Sequence, residues 1–133
     1  MTELTRVAVN RDSDIVTARQ LGRELAVKAG FAGTDLTLIA TAISEVARNI
    51  ISYAESGEIL LELTSHAGRQ GLQVVAQDDG PGIRDIDEAM RDGFSTGKSL
   101  GLGLPGARRL MDEFEIVSEL GKGTTVTMRK WLR

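Results

Sequence analysis

Four short segments of the chain carry side chains or backbone groups that could do chemistry together. In SEVARN, Glu45 and Asn49 stand at i and i+4, so on a helix they share one face. A carboxylate can take a proton from a hydroxyl. An amide oxygen one turn away can ligate a hard cation such as Mg²⁺. Taken alone, the pair also describes a solvated helix face. The second segment is Asp78-Asp79-Gly80-Pro81-Gly82-Ile83. At period two, Asp78 continues the row of Leu72, Val74 and Ala76. A carboxylate that extends an apolar row must be paired or must serve a ligand. The bland alternative is a glycine–proline turn.

The third segment, Gly101-Leu102-Gly103-Leu104, precedes a helical pattern, where free backbone N–H groups can hold an anion. The fourth, Gly121-Lys122-Gly123-Thr124-Thr125, also reads as a plain hairpin turn. Two nucleotide motifs are imitated here and fail. Residues 101–106 match GxGxxG, but a polar loop precedes them and no βαβ unit follows. Residues 93–99 resemble a Walker A loop one residue short, with no strand before it.

The elements that must position these groups are legible from periodicity. A strand is expected over 4–9. A helix follows from the capping residues Asp12-Ser13-Asp14 to Gly30, with Ile15, Ala18, Leu21, Gly22, Leu25 and Ala29 at helical spacing. A second helix is expected from Thr34-Asp35 to Ala54, ended by Gly57, with the stripe Leu36, Ile39, Ala40, Ile43, Ala47 and Ile50. Glu45 and Asn49 fall opposite that stripe, which predicts an outward face. EILLELTSH and GLQVVAQDDG read as a strand pair around a turn at 67–71. A helix is expected over about 102–111, and FEIVSEL and TTVTMRKWL as a final hairpin. The order predicts an α+β fold, a two-layer α/β sandwich. Its sheet is mixed and mostly antiparallel, with helices on one face. Residues 84–100 are polar and rich in glycine and serine, the composition of a segment that closes over a ligand.

The chain has 133 residues, one domain's worth, and a formal net charge of −3. An acidic balance argues against general nucleic-acid binding. There is no cysteine and one histidine, which excludes disulfides and Cys/His metal sites. No stretch approaches the roughly 20 apolar residues of a membrane span, and no signal segment is read, so the expected address is the cytoplasm.

Together, in this order and at these separations, the four segments resemble the N box and glycine boxes of the GHKL (Bergerat-fold) ATPase/kinase superfamily. The resemblance covers nearly the whole of 1–133. The stretches TAISEVARNI, DDGPGI, DGFSTG and GLGLPGARRLMDEF resemble more closely the stressosome switch kinases and anti-sigma-factor kinases. It implies ATP and Mg²⁺ as cofactors, with Asn49 as the metal ligand and Glu45 as the general base. Asp78 would accept the adenine amino group's hydrogen bond. Gly80, Gly82 and Ile83 would floor the base site, Gly101, Leu102, Gly103 and Leu104 would line the phosphates, and Thr124 would lie near the adenine. Residues 84–100 would be the ATP lid. Implied partners are STAS-domain proteins of the RsbS/RsbR kind as substrates and a PP2C-type phosphatase of the RsbU kind. An anti-sigma factor, or a non-enzymatic ATP-dependent switch, would use the same fold. The pattern departs at Tyr53, where several anti-sigma relatives carry histidine.

Overall fold

A computed structural model of the chain describes residues 4–83, 86, 90 and 103–133. The described elements run β1 (Leu4–Val9), α1 (Asp12–Ala29), α2 (Thr34–Ala54), β2 (Gly57–His66), β3 (Arg69–Asp78), α3 (Gly103–Leu110), β4 (Glu113–Glu119) and β5 (Gly123–Trp131). The strands form one sheet in the order β1-β2-β3-β5-β4. Every pairing among them is antiparallel. This is the expected two-layer α/β sandwich. The hairpins β2–β3 and β4–β5 are joined by short turns, and β5 inserts between β3 and β4.

Alternation decides which face of the sheet meets the helices. Ile59 and Leu61 of β2, Leu72, Val74 and Ala76 of β3, and Val126 and Met128 of β5 are buried in one cluster with Ile39, Ile43, Val46 and Ile50 of α2. The opposite face carries polar ladders: Gln77 donates to Glu58 at 2.5 Å, and Arg129 donates to Gln73 at 2.8 Å. Helix α1 packs closely on α2 because position 22 has no side chain; a Cβ there would overlap the Ile43 Cδ1 atom. Helix α1 begins where expected, with Asp14 Oδ2 accepting the N–H of Asn10 at 2.8 Å, and ends at a left-handed Gly30.

Three boundaries differ from the sequence reading. Helix α2 is ended by Glu55 at φ 70°, and Gly57 is instead the first residue of β2. The β2–β3 turn is tighter than expected. Ala67 and Gly68, both at positive φ, reverse the chain and let His66 pair with Arg69. Helix α3 spans 103–110. Among the described residues no helix is long and apolar enough to cross a membrane.

Gly57 matters for space. It stands opposite Asp78 on the helix-facing side, and a Cβ there would lie 2.5 Å from the Gln77 carbonyl oxygen and 2.9 Å from Ile50 Cγ2. Backbone on one side and core on the other leave no room to yield. Gly57→Ala is expected to lower the unfolding free energy by about 1–3 kcal/mol. The measurement is a urea titration, with the midpoint falling at constant slope.

Candidate nucleotide site

The site is built where the ends of β3, β5 and β4 come level. Asp78 pairs with Thr124, and Thr124 pairs with Ser118. All three side chains therefore stand in one row on the helix-facing side. Asp78 Oδ1 accepts two backbone N–H groups, from Gly80 at 2.9 Å and Thr124 at 3.3 Å. Among the described residues Oδ2 accepts none, so half-buried Asp78 has one oxygen held by backbone and one without a protein donor. Thr124 is 5 % exposed, and its hydroxyl lies 2.8 Å from Ser118 Oγ.

The chain around this row runs closer than side chains allow. Position 80 rests on the end of α2, where a Cβ would fall 2.5 Å from Ala54 Cβ. Gly82 takes φ 81°, and a Cβ there would overlap the carbonyl of Glu119. Gly123 takes φ 112°, and a Cβ there would overlap the carbonyl of Asp78. Both positions need a residue that tolerates the left-handed region and has no side chain. Ile83 is tied down by its N–H, which donates to Ser118 Oγ at 2.7 Å. Ile86 and Met90 pack on the core.

Helix α2 carries the rest of the site. Its last residue, Ala54, abuts Gly80, and Glu45 lies nine positions earlier, about 13 Å away at the helical rise. Half-buried Asn49 sits between them. Its side chain has no hydrogen-bond partner among the described residues. Glu45 corrects the sequence reading: the face opposite the stripe is covered. The carboxylate is 5 % exposed because α3 packs over α2 there. A helix with neighbours on two sides buries more than one stripe, which single-sequence periodicity cannot show.

Glu45 is well compensated. Oε2 accepts the N–H of Gly103 at 2.9 Å, and Oε1 meets Arg48 Nη1 at 2.9 Å. The carboxylate thus sits at the N-terminal end of α3, where the helix dipole favours negative charge. At the other end of α3 the buried Lys130 donates to the Leu110 carbonyl at 2.8 Å. Anion at the start and cation at the end fix the helix by the same rule. Ser118, Arg48 and Lys130 are the contributors that sequence reasoning missed. Lys130 was detectable, since Thr124, Val126, Met128 and Lys130 alternate on one side of β5. Ser118 follows from the same alternation on β4.

Leu104 is buried behind Gly103. Gly101, Leu102 and the expected lid 84–100 lie outside the described residues, residues 86 and 90 apart. A groove of about 670 Å³ opens near the strand ends, lined by Glu58, Gln77, Asp79, Glu119 and Lys122 among others. Glu45, Asn49 and Gly103 are not part of it. It includes Asp78 and Thr124, and its charged lining is four carboxylates (Glu58, Asp78, Asp79, Glu119) against one cation (Lys122), which does not suit phosphates. Among the described residues no group of three or more His, Asp or Glu side chains could hold a metal ion by itself. A cation held through Asn49 would take its other ligands from a bound phosphate or water.

Known proteins are similar to this chain. The family model for the histidine kinase-like ATPase domain matches residues 8–130. The serine/threonine-protein kinase RsbT of Bacillus subtilis is 50 % identical over 133 residues, covering 100 % of both chains. An anti-sigma F factor of a Thermoanaerobacter strain is 33 % identical over 98 residues, 71 % of this chain and 68 % of that one. Among solved structures, the catalytic domain of the histidine kinase ThkA superposes with a TM-score of 0.54 at 18 % identity, covering 96 % of this chain and 95 % of that one. The RsbU and RsbW domains of a Mycobacterium tuberculosis protein give a TM-score of 0.63 at 20 % identity, covering 98 % and 33 %.

Removing the Glu45 carboxylate leaves the Gly103 N–H and the Arg48 guanidinium without that partner. Glu45→Ala is expected to cost about 1–3 kcal/mol of stability, and Glu45→Gln less, because the amide oxygen still accepts from Gly103. Urea unfolding of both variants checks this ordering.

Proposed function

Since the chain is an RsbT-like member of the histidine kinase-like ATPase family, we propose that it transfers the γ-phosphoryl group of Mg-ATP to a serine or threonine of another protein. The observation that carries the reading is the Asp78 carboxylate. One oxygen is locked by two backbone N–H groups and the other has no donor among the described residues, which suits the exocyclic amino group of adenine. Thr124, the glycines at 80 and 82, and Ile83 complete the base end. Asn49 would offer its amide oxygen to magnesium.

Bound Mg-ATP supplies the transferable phosphoryl group and a cation that neutralises its charge. The remaining work falls to side chains of this chain. Glu45 takes the proton of the incoming hydroxyl. Its two oxygens are engaged by the Arg48 guanidinium and the Gly103 N–H described above. Arg48 and the Gly103 N–H hold the carboxylate in one orientation, so it need not reorganise. The N–H groups before α3, with Gly101, Leu102, Gly103 and Leu104, would receive the phosphates. Residues 84–100 would close over the nucleotide as a lid, and 1–133 would act as a single domain.

The likeness to RsbT supports STAS-domain proteins as substrates, release of the kinase after transfer, and activation of a PP2C-type phosphatase, all in the cytoplasm. A second reading is supported by the anti-sigma F factors: sequestration of a sigma factor, with kinase activity towards its STAS antagonist. Pull-down with a sigma factor separates the two.

Two outcomes are expected. Asp78→Asn keeps an acceptor for Gly80 and Thr124 but turns an NH₂ group towards the base, so ATP affinity falls about 10- to 100-fold by calorimetry. Unchanged affinity would overturn the base assignment. In single-turnover transfer from labelled ATP to a STAS partner, Glu45→Ala retains ATP binding and loses about 10²–10⁴-fold in rate, whereas Asn49→Ala loses magnesium-dependent binding as well. Transfer by Glu45→Ala at the wild-type rate removes the general-base role. A wild-type protein that binds ATP yet labels no partner makes the chain a binding switch.

A further inference from the structure

We propose that Ser118 is a positioning residue that makes the base end of the pocket selective for a 6-amino purine, by fixing the direction of the Thr124 hydroxyl proton. The inference rests on reading that pocket as an adenine-nucleotide site.

Ser118 Oγ has three neighbours and one proton. It accepts the Ile83 N–H at 2.7 Å, it lies 3.2 Å from the Gly123 carbonyl oxygen, and it lies 2.8 Å from Thr124 Oγ1. The carbonyl can only accept, so the Ser118 proton must go to Gly123 for that contact to exist. One Ser118 lone pair is taken by Ile83, and the other then accepts the Thr124 proton. This is the single arrangement that satisfies all three contacts. It leaves Thr124 Oγ1 with lone pairs alone for anything else.

Thr124 stands next to Asp78 in the strand register, and the open Oδ2 of Asp78 is also an acceptor. The row therefore offers acceptors only. A 6-amino group has two hydrogens to give, and it can reach the two oxygens directly or through one water. A purine without that group leaves both oxygens unpaired on binding, which is where strong discrimination by hydrogen bonding comes from. Without the Ser118 hydroxyl, the Thr124 proton is free to turn and donate elsewhere, and the penalty for a missing amino group shrinks. The same hydroxyl anchors Ile83, so one side chain couples the floor of the pocket to its polarity.

The test compares ATP with purine riboside triphosphate, which lacks the 6-amino group, by calorimetry on the full chain. The quantity is the ratio of their Kd values in wild type, Ser118→Ala, Ser118→Cys and Ser118→Thr. A loosened pocket weakens both nucleotides alike and leaves the ratio unchanged. The expected result is a ratio that falls about 5- to 10-fold in Ser118→Ala, falls partly in Ser118→Cys, and is retained in Ser118→Thr. An unchanged ratio in both the alanine and cysteine variants overturns the inference while leaving the nucleotide site standing. So does a ratio lost equally in Ser118→Thr, which would make the role one of shape. If Ser118→Ala does not fold, the cysteine and threonine variants decide alone. Failure of the wild type to bind either nucleotide overturns both the inference and the site reading beneath it.

Discussion

The carboxylate of Asp78 ties together the parts of the molecule that meet at the site. Its Oδ1 atom draws in the N–H of Gly80 and the N–H of Thr124, two chain segments far apart in sequence. Those bonds form only if backbone passes over backbone without intervening Cβ atoms. Glycines at 57, 80, 82 and 123 meet that condition, and each would collide with main chain if it carried a side chain. The constraint propagates. Gly57 lets Ile50 of α2 press against the strand ends, and Gly80 lets the chain rest on Ala54. The core and the site are therefore set by the same close approach.

Helix α2 relays that approach to the other end of the site. It is buried on its sheet side by the core and on another side by α3. Glu45 holds the start of α3 and Lys130 holds its end. A buried carboxylate is tolerable only when its oxygens are used, and here backbone N–H and guanidinium use them. The arrangement holds Glu45 in one orientation, as the proposed single proton transfer would require. The negative charge of that carboxylate is met by the start of α3 and by Arg48.

The comparisons and the geometry bear on different questions. Identity of 50 % across the full chain establishes the family and its RsbT-like character. The geometry adds which atoms are committed and which remain open. Asp78 Oδ2 and the Asn49 amide are open among the described residues, whereas Glu45 and Ser118 are engaged.

Much of the architecture was legible in the sequence because it depends on local periodicity. The period-two rows of β2, β3 and β5, the 3.6-period stripes of α1 and α2, and the glycine turns placed every described element within a few residues. The row Leu72, Val74, Ala76, Asp78 also put the carboxylate on the correct side of its strand. What the tertiary structure decided is everything that needs a second element. Strand order β3-β5-β4 puts Ser118 beside Thr124 and Thr124 beside Asp78, which no local pattern encodes. The covering of α2 by α3 turned Glu45 from an expected outward residue into a buried one. Gly57, read as a helix stop, became the residue that makes room for Ile50. The physical reason is common to all three: periodicity records which way a side chain leaves its own backbone, whereas burial and hydrogen bonding depend on what another segment brings to meet it.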